Sequence, residues 1–360
     1  MTSRGTRVLL AGPLPPPIGG TTLLFERLVN AMEEREDIET TVVDTSGVRG
    51  KGPLAAAAFA VLQRELLNAV TECDVATLHV STTALHIMGP VISSLAGRHR
   101  VPLVVRKFGG TDFLGFDWLR RRIIVKALSA ADLYLAETRM LVESARSAGI
   151  ERVEWHPNSR QMPPLPHDVD VGHERCERFV FLGQVHRTKG IPELIEAAAM
   201  LEDGARVDVF GTLGHDVEAS AFEGAERVRF RGRVEPDQVH ETLASYDALV
   251  LPSYHEGEGY PGVVLEAFGA GLPVVTTRWR ALPELVDETC GALVPPRDAD
   301  ALAVAMNGLA ADERRYRKLR EGVRERRELY DESRWHDRFV EICRELAGPG
   351  DETQRTGSGA

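Results

Sequence analysis

The sequence predicts an α/β protein in which two parallel-sheet domains, each with its own core, face each other across a cleft. The first observation is the length: 360 residues exceed a single domain of roughly 100 to 200 residues and suit about two. The second is that short apolar runs alternate with longer helical patterns, as is typical of βαβ units. The third is a polar, proline-containing stretch near the middle of the chain that interrupts this alternation.

Twelve apolar runs are predicted strands. In the first half they are RVLLAGP, TTVVDT, DVATLHV, PLVVRKF, DLYLAE and VEWHP. In the second half they are RFVFLGQ, ARVDVFG, RVRFRGR, DALVLPS, LPVVTT and GALVPP. The even distribution predicts two parallel sheets of similar size.

The interruption runs from Asn158 to Arg178 and is interpreted as the interdomain linker. We predict a first domain over residues 1–165, a linker over 166–177 and a second domain over 178–331. A terminal helix over 332–347, with Ser333 as its N-cap, is expected to pack back on the first domain. Residues 348–360 are polar and glycine-rich, which favours a disordered tail.

Charge and cysteine usage exclude several classes of protein. The formal net charge is −11, so general attraction to nucleic acid is not expected. The four cysteines show no CxxC and no histidine at metal-ligand spacing, which argues against a structural zinc or a disulfide framework. The longest small-apolar run, PLAAAAFAVL, is shorter than the roughly 18 residues of a membrane span. The apolar run in MTSRGTRVLLAGPLPPP is too short for the apolar region of a secretory signal, so none is expected there. These features predict a cytoplasmic location.

A glycine-rich stretch, EGEGYPGVVLEAFGAGLPVV, carries two carboxylates, Glu258 and Glu266. It follows the predicted strand DALVLPS, and open α/β sheets bind ligands outside the carboxyl ends of such strands. Pro261 and Gly271 predict the first turn and the end of a helix, whose free N–H groups would face an anion or sugar hydroxyls. The alternative interpretation is that both glutamates are solvated and bind no ligand. The strand–loop–helix context favours acceptors for a hydroxyl-rich ligand such as carbohydrate or ribose.

A basic loop opens the second half, in RFVFLGQVHRTKGIPELIEAAAML. The strand ends at Gly183, Arg187 and Lys189 follow, and a helix begins at Gly190 to Pro192. Two cations beside a helix start suit a diphosphate, because donors that are already in place stabilise a charged leaving group. A solvated basic loop remains the alternative, and the GxxxxGK[ST] pattern is absent.

Three stretches together resemble the C-terminal half of retaining glycosyltransferases of family 4, whose GT-B fold has two Rossmann-like domains. They are FLGQVHRTKGIPELIEAAAML, VRFRGRVEPDQVHETLASYDALVLPSYHEGEGYPGVVLEAFGAGLPVV and GALVPPRDADALAVAM, and Glu258 and Glu266 match the family's E-x7-E pattern. The similarity covers roughly Arg178 to Ala311. In the first half, PPIGGTT resembles the family's glycine loop and WHPNS its PNG segment.

The resemblance implies transfer of a sugar from a UDP- or GDP-sugar with retention at the anomeric carbon, without a cofactor or an obligatory metal. It implies that Glu266 holds the ribose hydroxyls and that Glu258 contacts the donor sugar. Lys189 would neutralise the diphosphate, so Lys189 and Glu258 are the candidate catalytic residues. The other implied donor contacts are Gly19, Gly20, Gly183, Gln184, Arg187, Gly259, Tyr260, Pro261, Gly262 and Val263.

Three positions depart from the family's pattern. Gln184 stands where an arginine usually follows the loop glycine, and Arg187 is the candidate to replace its charge. The segment VVRKFGGTDF has no histidine where many members carry one, so Lys107 and Asp112 are candidates there, on the acceptor side. Pro261 occupies a position often held by glycine.

Several interpretations stay open. The acceptor is a saccharide, a lipid-linked glycan or a small molecule, used in bacterial glycan, lipid-linked saccharide or glycosylated metabolite biosynthesis. The basic run WLRRRIIVKAL, Trp118 to Leu128, is either a solvated helix face or a weak peripheral contact with anionic lipid. His79 is expected to be structural rather than part of a site. A sugar-nucleotide epimerase, a hydrolase or an inactive sugar-nucleotide-binding protein remains an alternative function.

Overall fold

The computed structural model describes residues 5–47, 53–165 and 175–348. The chain divides into two compact units, one formed by Met1–His156 with Ser333–Ala360 and the other by Pro157–Glu332. Each unit contains one six-stranded sheet.

The first unit begins with alternating strands and helices. Its strands are β1 (Thr6–Gly12), β2 (Ile38–Asp44), β3 (Val75–Ser81), β4 (Leu103–Phe108), β5 (Leu133–Ala136) and β6 (Val153–Trp155). Its first five α-helices are α1 (Gly20–Glu33), α2 (Pro53–Glu72), α3 (Thr82–His99), α4 (Trp118–Ser129) and α5 (Arg139–Ser147). The strand order is β2-β1-β3-β4-β5-β6, with every pair parallel.

The second unit repeats this organisation. Its strands are β7 (Arg178–Leu182), β8 (Arg206–Phe210), β9 (Val228–Gly232), β10 (Ala248–Leu251), β11 (Val274–Thr277) and β12 (Gly291–Val294). Its α-helices are α6 (Ile191–Ala199), α7 (Val239–Ala244), α8 (Gly262–Gly269), α9 (Leu282–Leu285), α10 (Ala299–Ala311) and α11 (Glu313–Glu328). The strand order is β12-β11-β10-β7-β8-β9, again with parallel pairs.

All twelve predicted strands are therefore present, and the predicted fold class of two Rossmann-like parallel-sheet domains is confirmed. Strands β4, β10 and β11 are buried along their whole length. Burial on both faces favours apolar runs such as ALVL of β10, although β4 also buries Arg106 and Lys107.

The last helix, α12 (Glu332–Ala347), packs on the first unit, where Phe339 and Val340 join a core cluster with Val8 and Phe25. The helix begins one residue before the predicted N-cap, Ser333, which lies in the first turn. The predicted range of the helix, 332–347, is confirmed, whereas Ser333 lies inside the helix and is not its N-cap. The N–H of Glu332, the first residue of the helix, donates to the carbonyl of Arg160 at 2.9 Å.

Residues 157–165 group with the second unit. Most of the predicted linker, residues 166–174, and the predicted tail from 349 onward lie outside the described residues. All four cysteines are buried free thiols. Within the described ranges, no helix combines the length and apolar character needed to cross a bilayer.

Candidate functional site

The basic loop and the glutamate loop leave the same edge of the second sheet. Strands β7 and β10 are parallel neighbours, with Phe179 opposite Ala248, so the loops that follow them emerge side by side. The N–H of Tyr254 donates to the carbonyl of Thr188 at 2.8 Å, which joins the two loops directly. The predicted diphosphate and sugar contacts are thus brought together by the sheet order.

Lys189 and Glu258 form an ion pair at the centre of this edge. The Lys189 ammonium donates to Glu258 Oε2 at 2.6 Å, and the side chains are 19% and 5% exposed respectively. The hydroxyl of buried Ser253 donates to the same carboxylate oxygen. A carboxylate removed from water needs such partners, because an unpaired buried charge is strongly unfavourable. The pair fixes both candidate catalytic side chains.

Gly190 brings the basic loop close to the end of β10. Its φ angle is +80°, and a Cβ at this position would lie 2.2 Å from the carbonyl oxygen of Pro252. Only glycine fits both requirements. The residue ends the 3₁₀ turn Arg187–Lys189 and precedes α6, so Lys189 is held directly before a helix start.

The glutamate loop runs into α8, which begins at Gly262. Pro261 is the N-cap, one position before the predicted first turn, and the first N–H to bond within the turn is that of Val264, which donates to Pro261 O at 3.1 Å. The amides of Gly262 and Val263 precede that bond and form the free start of the helix.

The predicted end of this helix is confirmed. Gly271 has φ +76°, and its N–H donates to Phe268 O at 3.0 Å while the N–H of Leu272 donates to Ala267 O at 2.9 Å. These two bonds are those of a Schellman motif, which requires a left-handed residue that glycine provides without strain.

The ring of Tyr260 is buried, so only its main chain is available at this edge of the sheet. The ring is 2% exposed, and its hydroxyl donates to Glu284 Oε2 at 2.7 Å. The side-chain amide of Asn158 donates to the carbonyl of Tyr260 at 3.2 Å. The loop between the two glutamates is therefore anchored from both sides.

Sequence reasoning missed Asn158 and Arg160, which it placed in the linker stretch. Both are buried, as is Ser159 between them. Arg160 Nε donates to Glu266 Oε1 at 2.9 Å, so a residue of the supposed linker is bonded to the predicted ribose-binding glutamate. The resemblance of WHPNS to a family segment was the signal that these residues belong to the site.

Gln184 and Arg187 are exposed on the basic loop. The N–H of Gly183 donates to Phe210 O at 3.0 Å, and the N–H of Arg187 donates to Asp216 Oδ2 at 3.2 Å. Within the described part of the chain, the Arg187 guanidinium forms no ion pair and no hydrogen bond with Lys189 or Glu258. Its compensating role for Gln184 remains a prediction.

The glycine loop lies in the first unit. Gly19 is the N-cap of α1, and its N–H donates to Thr22 Oγ1 at 3.0 Å. Gly19 and Gly20 are both exposed, so their main chain is accessible. Their contact with a donor remains a prediction.

Lys107 and Asp112, the acceptor-side candidates, both form hydrogen bonds within the first unit. Lys107 is fully buried and donates to Gly109 O at 2.7 Å, and burial lowers the pKa of its ammonium to about 8. Asp112 accepts from Leu114 N at 2.9 Å and from Ser144 Oγ at 3.0 Å. Contact of either residue with an acceptor stays a prediction.

His79 has the structural position expected of it. It is fully buried, its Nε2 lies 3.1 Å from Thr77 Oγ1, and its ring centroid lies 5.0 Å from that of Phe25. Burial lowers the pKa of His79 well below its ordinary value, so the ring is neutral near pH 7.

The segment that carries the basic loop and the glutamate loop matches a known protein family. The model of the family "Glycosyl transferases group 1" matches residues 176–312, which include Lys189, Glu258 and Glu266. This part of the chain therefore has the sequence pattern of a group 1 glycosyltransferase domain.

Two relatives extend the similarity. The D-inositol 3-phosphate glycosyltransferase of Xylanimonas cellulosilytica is 29% identical over 226 residues, 55% of this chain and 53% of that protein. The sulfoquinovosyl transferase SQD2 of Arabidopsis thaliana is 33% identical over 238 residues, 60% of this chain and 46% of that protein. The chain spans about half the length of the curated relatives it matches.

Among solved structures, Anabaena Alr3699/HepE in complex with UDP aligns with a TM-score of 0.73 at 18% identity, over 94% of this chain and 99% of that one. At this identity the likeness shows the fold alone. It agrees with the predicted GT-B fold.

Proposed function

We propose that the protein is a retaining glycosyltransferase of family 4 that transfers a hexosyl group from a UDP- or GDP-sugar to an acceptor hydroxyl. The observation that carries this proposal is the Lys189–Glu258 ion pair, which stands beside two helix starts within the segment matched by the family model. The UDP bound to the HepE structure supports a nucleotide-sugar donor.

The ion pair suits departure of a nucleoside diphosphate. In the reaction the bond between the anomeric carbon and the diphosphate oxygen breaks, the acceptor oxygen bonds to the same face of that carbon, and the proton of the acceptor hydroxyl passes to the departing diphosphate oxygen. Negative charge develops on the leaving diphosphate, where a fixed cation is most effective. An ammonium has three N–H groups, so Lys189 can keep its bond to Glu258 and still donate to phosphate oxygens.

Glu258 would orient the donor sugar. Its Oε2 is taken by Lys189 and Ser253, and no bond to its Oε1 is found within the described ranges. That second oxygen would accept from a sugar hydroxyl. Glu266 would accept from the ribose, as the E-x7-E pattern implies.

We propose that no metal or other cofactor is obligatory, because Lys189 and the helix starts supply positive charge beside the diphosphate. Turnover should therefore be unchanged by a chelator. Loss of activity on chelation, with recovery on adding Mg²⁺ or Mn²⁺, would contradict this part of the proposal.

We further propose a cytoplasmic enzyme of glycan or polysaccharide biosynthesis, with weak contact to the inner membrane face where the acceptor is lipid-linked. The first residues of α4 support this contact: Trp118 is 70% and Leu119 56% exposed, and three exposed arginines follow them. Apolar side chains next to cations suit an anionic interface.

Sedimentation with vesicles tests the membrane contact. The protein should bind phosphatidylglycerol vesicles more than phosphatidylcholine vesicles, and the double variant Trp118→Ala, Leu119→Ala should bind less. Val304→Ala is the matched control, because Val304 is 72% exposed in the other unit. Equal sedimentation of the double variant and the parent would contradict the membrane contact and indicate that this face of α4 is solvated.

The catalytic test is incubation with UDP- and GDP-sugars, with and without panels of saccharide and lipid-linked acceptors. Free nucleotide should appear only with an acceptor, and the product should keep the anomeric configuration of the donor by NMR. Conversion of the donor to another nucleotide-sugar would indicate an epimerase. Nucleotide binding without turnover across the panels would indicate a binding protein.

A further inference from the structure

Arg160 is a buried cation whose main chain is held on both sides. Its N–H donates to Tyr330 O at 3.0 Å, and its carbonyl accepts from Glu332 N at 2.9 Å. The side chain is 10% exposed. Because these two bonds fix the main chain of Arg160, its side chain extends from a fixed position.

The guanidinium is bonded to the partly exposed Glu266. Arg160 Nε donates to Glu266 Oε1 at 2.9 Å, and Nη1 donates to Ser159 O at 3.0 Å. The Glu266 side chain is 27% exposed, and no partner for its Oε2 is found across residues 5–47, 53–165 and 175–348. One carboxylate oxygen is therefore held by the protein, and the other remains able to accept from hydroxyl groups.

Gly262 makes room for this arrangement. A Cβ on Gly262 would lie 2.1 Å from Arg160 Nη2, and the residue is outside the left-handed region that favours glycine. The glycine is thus required for space at the start of α8 rather than for backbone conformation. A side chain there would displace the end of the arginine before it met any backbone atom.

We propose that Arg160 is a positioning residue that holds Glu266 in the orientation from which its free oxygen accepts ribose hydroxyls. This inference rests on the proposed function, because it assigns Arg160 a part in binding the nucleoside of the donor. A carboxylate fixed beforehand binds more tightly, since less side-chain freedom is lost when the ligand arrives. The planar guanidinium holds a carboxylate with defined geometry, which a lysine does not.

Calorimetric titration with UDP, GDP and the nucleosides uridine and guanosine tests the proposal. Arg160→Gln should weaken nucleoside and nucleotide binding by the same factor, about tenfold, because the lost bond is charge-assisted and acts on the ribose. Adding Glu266→Gln to Arg160→Gln should cause little further loss of affinity, because each change disrupts the same Arg160–Glu266 pair. Arg160→Lys should restore only part of the affinity.

Gly262→Ala is an independent variant that keeps both charges. Its methyl group displaces the flexible end of Arg160, so it should weaken nucleoside binding in the same way with little loss of stability. Arg231→Gln is the matched control, because Arg231 bonds the buried carboxylate of Asp208 at 2.8 Å from the edge strand β9. Its nucleoside affinity should equal that of the parent.

The outcomes separate this inference from the proposed function. If the parent binds and Glu266→Gln weakens binding, but Arg160→Gln and Gly262→Ala leave nucleoside affinity unchanged, the positioning role is overturned alone. Additive losses in the double variant would also overturn it. If the parent binds neither UDP nor GDP, the proposed function fails and this inference fails with it.

Discussion

Replacing Lys189 by methionine tests the ion pair at the centre of the proposed chemistry. Methionine keeps most of the apolar stem and removes the ammonium. The Glu258 carboxylate, 5% exposed, then retains the Ser253 hydroxyl as its one side-chain donor among the described residues. The substitution therefore leaves a buried charge with too few partners.

The size of the effect follows from the burial of each partner. Removing one member of a buried pair costs about 3 to 5 kcal/mol, and we expect the lower end, about 3 kcal/mol, because Lys189 is 19% exposed and Ser253 remains. Glu258→Gln should cost less, about 1 kcal/mol, because the more exposed ammonium can bind water. The double variant should be more stable than Lys189→Met alone, since it buries no unpaired charge.

Urea unfolding followed by circular dichroism measures these differences, and acceptor-dependent release of nucleotide measures turnover. Lys189→Met should lower turnover by about 10²-fold or more, as expected for loss of one fixed donor to the transition state. The reasoning is refuted if the double variant is as unstable as the sum of the single variants. Turnover of Lys189→Met within twofold of the parent would refute the catalytic role.

Three further predictions concern other residues. Glu266→Gln should weaken binding of free UDP or GDP by about 0.5 to 1.5 kcal/mol in calorimetry. Glu258→Gln should leave that affinity unchanged and reduce sugar transfer. The reverse pattern would contradict the assignment of Glu266 to the ribose and Glu258 to the sugar. Arg187→Ala should lower turnover more than Gln184→Ala, because only Arg187 is charged. Equal small effects would show that the Lys189–Glu258 pair and the helix starts stabilise the diphosphate without Arg187. Burial lowers the pKa of His156 well below 6.5, so the unfolded chain binds a proton that the folded chain does not. As the pH is lowered below 6.5, the free energy of unfolding should decrease by up to about 1.4 kcal/mol per pH unit because of this residue. His156→Phe should therefore show a smaller loss of stability between pH 7.0 and pH 5.5 in urea titrations. The same loss in the variant and the parent would contradict this role of His156.

Much of the fold could be predicted because its signals are local. Strands buried on both faces are continuous apolar runs, and Gly271 marks the end of α8 through the backbone conformation required there. The same local reasoning placed Glu258 and Glu266 around a helix start at a ligand-binding edge. It gave the correct range for α12 but took Ser333 as its N-cap, because a serine near a helix start does not by itself show whether it lies before or inside the first turn.

The pairing of charged side chains was decided by tertiary structure alone. Lys189 meets Glu258 because β7 and β10 are neighbours. Arg160 meets Glu266 because residues 157–165 group with the second unit rather than with the first domain, which was predicted to extend to residue 165. Lys107, read as a candidate for ligand contact, is buried against Gly109. Periodicity and turn residues report how a segment folds locally, and so the sequence alone determined the two sheets and the glutamate loop. The partner of a charge depends on which loops the strand order places side by side, and only the assembled sheet determines that.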